Sequence, residues 1–146
     1  QIGALHRAFS IFIFNSKGQM LLQQRANTKY HGANLWTNAC CSHPQKEEDV
    51  IDSAIERLQF EMGLQVPLQF LFTFIYHAPV ENNLIEHELD HVFIAYTDEA
   101  PLFNTEEVQQ VKWIAIEDLK KEIQMHPSHF TYWFKEVYEK VCAIYN

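Results

Sequence analysis

The stretch Glu56-Arg57-Leu58-Gln59-Phe60-Glu61-Met62-Gly63-Leu64 ends a segment whose spacing predicts a helix over residues 47–62. Gly63 predicts the helix end, because glycine adopts the left-handed conformation of a C-terminal cap without steric cost. Arg57 and Glu61 lie four residues apart and share one helix face, either as an ordinary surface ion pair or as a phosphate- and metal-binding pair. Apolar side chains recur at helical spacing, at Val50, Ile51, Ala54, Ile55, Leu58 and Met62.

The rest of the chain alternates predicted strands with turns and two further helices. A short helix is expected over residues 116–125, and Ser128 is expected to cap a last helix that runs to Tyr145. The order of strands, one helix, more strands and then helices predicts an α/β sandwich around a mixed sheet. Strands are expected over residues 7–14, 19–25, 36–41, 68–76, 85–96 and 111–115, with turns at residues 15–18 and 81–83.

Composition restricts the class of protein. The chain has 146 residues, of which 47% are hydrophobic, and no apolar run approaches the roughly 18 residues of a membrane-spanning helix. The formal net charge of −8 argues against a nucleic-acid partner, but it allows an anionic small molecule where metal ions or a local basic cluster offset the field. Three cysteines, two of them adjacent, make a poor disulfide framework and favour a cytoplasmic location.

The size of the chain predicts one domain over residues 1–146, acting as a monomer or a weak dimer. Because the first residue is Gln1 rather than Met, we expect part of the natural N-terminus to lie upstream of it.

Residues 37–44, which read Thr-Asn-Ala-Cys-Cys-Ser-His-Pro, bring two thiols and an imidazole together. In an extended segment Cys41 and His43 point to the same side and Cys40 to the other. A neighbouring imidazole or metal ion favours the thiolate, which makes Cys41 a candidate acid, base or nucleophile. The alternative is a small buried side chain beside a structural histidine. Cys40 and Cys142 are interpreted as packing residues.

A second cluster centres on Glu86 and Glu88, which share one face of a predicted strand. Two carboxylates that face inward need a cation to offset their burial, whereas a solvated strand face needs none, and both alternatives fit the spacing. Taken with the imidazoles of His6 and His43, the carboxylates suit Mg²⁺, Mn²⁺ or Zn²⁺, among which the sequence does not choose.

Three cations, Arg25, Lys29 and Arg57, complete the candidate site. Arginine suits bidentate contact with phosphate and lysine supplies a point charge, so this group suits a diphosphate. Tyr76 and Trp133 are aromatic residues in apolar surroundings, and their spacing alone predicts core positions.

Taken together, these motifs resemble those of the type 1 isopentenyl-diphosphate Δ-isomerases, a branch of the Nudix superfamily. The resemblance covers nearly the whole chain. Its most specific parts are Trp-Thr-Asn-Ala-Cys-Cys-Ser-His-Pro at 36–44, Phe-Glu-Met-Gly at 60–63 and Glu-His-Glu at 86–88, in that order and spacing. The resemblance implies a Nudix-like α/β/α sandwich around a mixed, mainly antiparallel sheet.

The match to the Nudix hydrolase signature is incomplete. That signature reads G-x5-E-x7-R-E-U-x-E-E-x-G-U, where U is a bulky apolar residue, and Glu61 and Gly63 fit it. Phe60 replaces one metal-binding glutamate and Arg57 replaces another acidic position. Hydrolysis requires several carboxylates there to hold metal and activate water, so the departure favours binding of a diphosphate without hydrolysis.

The resemblance implies a reversible conversion of isopentenyl diphosphate to dimethylallyl diphosphate. Cys41 and Glu88 would be the two acid/base groups, on opposite faces of the substrate double bond. Tyr76 would help deliver the proton of Glu88, and the indole of Trp133 would stabilise the tertiary cation.

The same resemblance implies two metal sites. Glu61 would hold a Mg²⁺ that bridges to the diphosphate, whose other contacts would come from Arg25, Lys29 and Arg57. A second divalent ion, Mn²⁺, Zn²⁺ or Mg²⁺, would be held by His6, His43, Glu86 and Glu88.

One departure affects the second metal site. The family uses a further histidine upstream of the position that His6 matches, and a basic diphosphate contact further upstream still, whereas five residues precede His6 here. Two other functions therefore stay open from the residues alone. One is a Nudix-type diphosphate hydrolase, and the other is a catalytically inactive metal-binding domain.

Overall fold

The computed structural model of the chain describes residues 2–29, 32–79 and 85–145. The turn predicted at residues 81–83 lies outside the described residues. No helix in the described ranges is long and apolar enough to cross a membrane.

The centre of the molecule is one mixed sheet. Its main path runs β3-β2-β1-β6-β5, while β4 pairs with β1 and β7 pairs with β2. Only the pairing of β1 with β6 is parallel among the described strands, so the predicted mixed, mainly antiparallel sheet is confirmed. The strands are β1 (Ile2–Phe14), β2 (Gln19–Arg25), β3 (Trp36–Thr37), β4 (Cys40–Ser42), β5 (Gln69–Pro79), β6 (Ile85–Tyr96) and β7 (Val108–Ala115).

Helices cover both faces of the sheet, as the predicted sandwich requires. They are α1 (Val50–Met62), α2 (Ile116–Met125) and α3 (Tyr132–Tyr145). Alternation along β1 separates two cores, because successive side chains of a strand point to opposite faces. Phe12 and Phe14 pack with α2 and α3, whereas Ile11 and Ile13 pack with α1.

The end of α1 follows the prediction closely. Gly63 adopts a left-handed conformation with φ of 64°, and its N–H donates to the carbonyl of Gln59. A Cβ at this position would lie 2.5 Å from the carbonyl oxygen of Leu102, so no larger residue fits without a shift of the backbone. The helix begins at Val50 rather than at the predicted residue 47, where Glu47 has a positive φ of 67°.

The prediction that Ser128 caps the last helix is wrong. Residues Pro127–His129 form a separate 3-10 turn, and α3 begins at Tyr132. The reason is a tertiary pairing, since Phe130 forms a bridge with Trp36 and the N–H of Thr131 donates to the Trp36 carbonyl over 3.0 Å. This pairing holds the segment extended where local spacing favoured helix.

The extended segment predicted over residues 36–41 is divided into two strands. Trp36–Thr37 pairs with β2, and Cys40–Ser42 pairs with β1, so the chain changes partner at Asn38 and Ala39. Within β4, Cys40 and Cys41 are successive residues and therefore point to opposite faces of the sheet.

Candidate active site

Four strands place several of the predicted metal- and proton-binding side chains on one face of the sheet. Glu88 on β6 has Tyr76 of β5 as its Cα partner on one side and His6 of β1 on the other. His43, just beyond β4, reaches the same group, with 2.5 Å between its Nε2 and the Oε1 of Glu88. The register alone brings Tyr76, Glu88 and His6 into one row across three strands.

Glu88 is buried, which excludes the solvated strand face as an interpretation of its position. Its Oε2 atom has no hydrogen-bond partner within the described part of the chain. An unpartnered buried carboxylate oxygen beside an imidazole is the kind of donor that a divalent cation satisfies. The side chain of Glu86 lies outside the described residues, so its predicted place in the metal site stays a prediction.

The described residues fit a divalent ion without presenting a preassembled cage. No group of three or more His, Cys, Asp or Glu side chains in the described ranges is arranged to hold a metal ion. His6, His43 and Glu88 nevertheless share one end of one sheet face, and nitrogen and carboxylate ligands suit Mg²⁺, Mn²⁺ and Zn²⁺.

Cys41 lies beneath the last helix. Its sulfur accepts a hydrogen bond from the indole Nε1 of Trp133 over 3.0 Å and donates one to the Oδ1 of Asn38, also over 3.0 Å. Burial, followed by the nearby charge of Asp90, raises the pKa of the Cys41 thiol to about 11. The thiol therefore stays protonated at neutral pH, which argues against a ready thiolate nucleophile. The spacing alone predicted a core position for Trp133, but its indole also contacts the candidate site through Cys41.

Cys40 and Cys142 are packing residues, as predicted. Cys40 is fully buried on the α1 side of the sheet, and Cys142 lies on α3 and is buried against the opposite face.

Sequence reasoning missed Asp90, which lies on the same face as Glu88 and is 1% exposed. Ser10 donates to its Oδ2 over 2.7 Å, while Oδ1 has no partner within the described ranges. Burial, with a smaller contribution from the charge of Glu88, raises the pKa of Asp90 to about 7 against the opposing effect of the Ser10 hydrogen bond. The signal was available, because Asp90 continues the alternation of Glu86 and Glu88.

Tyr76 lies beside these carboxylates. It is 9% exposed, and its ring is 6.3 Å from that of Tyr132 at the start of α3. Burial, together with the charges of Asp90 and Glu88, raises the pKa of the Tyr76 hydroxyl, so the phenol stays protonated at ordinary pH.

A second group of side chains lies where α1 meets the turn before β7. Glu61 is 2% exposed, and its Oε2 accepts a hydrogen bond from the Nε of Arg57 over 2.6 Å. Gln23 donates to the other oxygen of Glu61 over 3.1 Å. The pair is thus not the ordinary surface ion pair that one interpretation of the spacing predicted.

Glu107, which sequence reasoning also missed, joins two of the predicted diphosphate-binding cations. Its Oε1 accepts a hydrogen bond from Arg57 over 2.6 Å and forms an ion pair with Lys29. Although partial burial acts in the other direction, these cations hold the pKa of Glu107 below its ordinary value. Glu107 lies in a turn, where no helical or strand pattern of apolar residues points to its role.

Arg25, the third predicted cation, lies with the first group. Its guanidinium carbon is 5.2 Å from the centre of the Trp133 ring, and its charge lowers the pKa of Cys41 slightly against the effect of burial. A cleft of about 310 Å³ is lined by both His43 and Arg57, together with Phe60 and the carboxylates of Glu48 and Glu56. The two groups of side chains therefore border one opening.

Comparison with known proteins identifies the family of the chain. Residues 4–134 match the family model of the NUDIX domain. The chain is 51% identical over 137 residues to "Isopentenyl-diphosphate Delta-isomerase 2" of Photorhabdus laumondii, covering 94% of this chain and 77% of the relative. It is 47% identical over 143 residues to "Isopentenyl-diphosphate Delta-isomerase" of Serratia proteamaculans, covering 98% of this chain and 80% of the relative.

Solved structures support the fold. The MutT protein from Methanosarcina mazei superposes with a TM-score of 0.76 at 16% identity, covering 94% of this chain and 93% of the other. The NUDIX domain of Shewanella oneidensis NrtR, solved with ADP ribose, gives a TM-score of 0.76 at 14% identity and covers 99% of this chain and 91% of the other. By its domain match and its relatives, the chain belongs to the isopentenyl-diphosphate Delta-isomerases of the NUDIX family.

Proposed function

We propose that the chain catalyses the reversible 1,3-allylic proton shift that converts isopentenyl diphosphate to dimethylallyl diphosphate. The observation that supports this best is the placement of two proton-carrying groups, Cys41 and Glu88, on one sheet face with β1 between their strands. Neighbouring strands are about 4.8 Å apart, so β4 and β6 are roughly 10 Å apart across β1, and the partners of Cys41 and Glu88 on β1, Ser10 and His6, are offset by four residues, or roughly 13 Å, along it. That separation leaves room for a five-carbon chain between the two groups.

The chemistry follows from the substrate. An isolated alkene is a weak base, so its protonation requires an acid held close to the terminal carbon in a site that excludes water. One of the two groups gives a proton to that carbon and leaves a tertiary cation. The other removes a proton from the carbon on the far side of the cation, which restores the double bond one position along. Each proton-transfer group typically contributes about 10²- to 10⁴-fold.

Two neighbouring residues and the last helix would assist these transfers. The Trp133 ring lies against Cys41 and presents an aromatic face, which attracts a cation by up to about 2 kcal/mol when desolvated. Tyr76, the Cα partner of Glu88, is placed to carry protons to and from that carboxylate. Helix α3 covers this face of the sheet and limits the access of water.

Two divalent ions complete the proposal. His6, His43, Glu86 and Glu88 would hold Mn²⁺, Zn²⁺ or Mg²⁺, and Glu61 would hold a Mg²⁺ that bridges to the diphosphate. Such ions supply positive charge that offsets the buried carboxylates and neutralises the diphosphate. Metal analysis of the purified protein would identify the ion at the histidines.

Diphosphate binding would use Arg25, Lys29 and Arg57. Glu107 already pairs with Lys29 and Arg57, so the incoming diphosphate would replace the Glu107 carboxylate as their anionic partner. The net charge of −8 makes these few cations the main local attraction for an anion.

One assay separates this proposal from its alternatives. The protein is incubated with isopentenyl diphosphate and Mg²⁺, and both dimethylallyl diphosphate and released phosphate are measured. The proposal expects the first product without the second. Phosphate release would indicate a hydrolase instead, and metal binding without either product would indicate an inactive domain. We further propose that the enzyme acts in the cytoplasm as a monomer or weak dimer, which sedimentation at several protein concentrations would test.

A further inference from the structure

Asn38 is buried in the bend between β3 and β4, and its amide is fully engaged. The Nδ2 atom donates to the carbonyl of Ile11 over 2.8 Å and to that of Cys40 over 3.0 Å. Both N–H groups of the side chain are therefore used by the backbone. This fixes the orientation of the amide, because a flipped amide would bring its oxygen against two carbonyl oxygens.

The amide oxygen consequently faces the other way, towards Cys41. It accepts a hydrogen bond from the Cys41 thiol over 3.0 Å and another from the Thr37 hydroxyl, also over 3.0 Å. The Thr37 hydroxyl is itself held by the hydroxyl of Thr131, which donates to it over 2.9 Å. Asn38, Thr37 and Thr131 are all fully buried.

The sulfur of Cys41 thus has two close partners of opposite character, and the Thr37 hydroxyl lies further away, at 3.8 Å. Asn38 accepts from it and Trp133 donates to it, each over 3.0 Å. A thiol makes only weak hydrogen bonds, and three staggered rotamers are open to a cysteine side chain. Rotation about χ1 moves the sulfur by more than the roughly 1 Å displacement that costs a catalytic group about 10²-fold in rate.

We propose that Asn38 is a positioning residue, whose amide oxygen fixes the sulfur of Cys41 on the substrate side of the sheet. The two N–H hydrogen bonds are sufficient to close the bend, so a purely structural role does not require the contact between the oxygen and the thiol. The proposal rests on the proposed function in one respect, namely that Cys41 carries a proton in turnover.

The test compares Asn38→Ala with Asn15→Ala in the otherwise intact protein. Asn15 is also a structural asparagine, because its Oδ1 accepts from the backbone N–H groups of Lys17 and Gln19, but it lies in the turn between β1 and β2. We expect Asn38→Ala to lower kcat by about 10- to 100-fold with KM within about twofold of the parent value. Asn15→Ala is expected to keep the parent kcat.

A second readout does not depend on turnover. The rate of alkylation by iodoacetamide is measured separately for Cys41, Cys40 and Cys142 by mass spectrometry of peptide fragments. With the amide oxygen removed, Cys41 is expected to react several-fold faster, because it has lost the partner that held its proton and its rotamer. Cys40 and Cys142 are expected to react at the parent rate, whereas general loosening of the fold would accelerate all three.

Parent kcat in Asn38→Ala, an equal rise in KM and fall in kcat, or acceleration of all three thiols would overturn the proposal. If Asn38→Ala does not fold, Thr37→Val decides, because valine keeps the shape of threonine and removes the hydroxyl that donates to the amide oxygen over 3.0 Å and lies 3.8 Å from the Cys41 sulfur. A 3- to 10-fold loss of kcat with faster alkylation of Cys41 alone supports the proposal, and parent values for both contradict it. If Cys41→Ala turns over normally, the role of Cys41 as a proton carrier fails separately, and the alkylation rates still test the positioning.

Discussion

The indole N–H of Trp133 donates to the sulfur of Cys41 across 3.0 Å, so the last helix closes directly over the short strand β4. The contact joins residues that are 92 positions apart in the chain. It places an aromatic ring and a proton carrier in one wall of the candidate site, which makes the two functions of the indole separable by substitution.

Trp133→Phe keeps an aromatic face and removes the N–H group, whereas Trp133→Leu removes both. We expect Trp133→Phe to lower kcat roughly 3- to 10-fold, the equivalent of one hydrogen bond of about 1 kcal/mol. Trp133→Leu should lose up to about another 30-fold, because the cation then has no ring to face. Steady-state kinetics on folded protein measures both, and equal effects of the two substitutions would contradict a role for the ring.

Cys41→Ala should abolish isomerisation, with a loss of at least about 10²-fold, because it removes one of the two proton carriers. Binding of the diphosphate should stay largely intact, since none of the described contacts of Arg57 or Lys29 involves Cys41. Cys40→Ala is the matched control, being adjacent but on the α1 side of the sheet. Turnover is measured by product formation and binding by calorimetry, and near-normal turnover of Cys41→Ala would exclude it as a proton carrier.

Arg57→Met should lower the free energy of unfolding by about 3 kcal/mol, because it leaves the buried carboxylate of Glu61 without its cation. Lys29→Met is the control and should cost less, about 1 kcal/mol, since Glu107 keeps its contact with Arg57. Urea denaturation measures both values. An equal cost for the two variants would show that the burial of Glu61 does not depend on Arg57.

Asp90 should make the metal-free protein less stable as pH rises. Its carboxyl ionises near pH 4 when unfolded, whereas burial raises its pKa in the folded protein to about 7. The unfolded state therefore loses its proton first, and the free energy of unfolding falls between these values by on the order of 4 kcal/mol before levelling off. The contribution of Asp90 to the free energy of unfolding is fully present below pH 4 and is lost as the pH rises through 7.

Asp90→Asn should remove that slope, which urea denaturation in the presence of a chelator at pH 5, 6 and 7.5 measures. Asp98→Asn is the control. The backbone N–H and the hydroxyl of Ser16 hold the pKa of Asp98 below its ordinary value, so its titration lies below this range. A slope that is unchanged in Asp90→Asn would mean that Asp90 is not the group that titrates.

The regular elements with a clear period were predictable from the sequence. Strand β6 and helix α2 occur at the predicted bounds of residues 85–96 and 116–125, because period-2 and period-3.6 patterns are local properties. Ser128 was misassigned as a helix cap because the bridge between Trp36 and Phe130 depends on residues far apart in the chain. Local spacing carries no information about such a pairing.

The candidate site was likewise predictable only in part from the sequence. Cys41, His43 and Glu88 belong to short motifs, and the structure brings them to one face of the sheet. Glu107 lies in a turn without any period, and its role appears only when α1 and β7 are packed together. Asn38 was within a motif that the sequence analysis examined, but the direction of its amide depends on the carbonyls of Ile11 and Cys40, which only the folded backbone places.

One register between β1 and β6 aligns both the candidate site and the two hydrophobic cores. His6 lies beside Glu88 in the same register that places Phe12 beside Ile94 and Ile11 beside Phe93. A slip of one residue would turn every side chain of β1 to the other face, so it would exchange the contents of both cores and remove His6 from Glu88 at once. Substitutions that preserve the packing of Ile11 and Phe12 therefore also preserve the predicted ligand pair of His6 and Glu88, so stability and the proposed chemistry depend on one shared alignment.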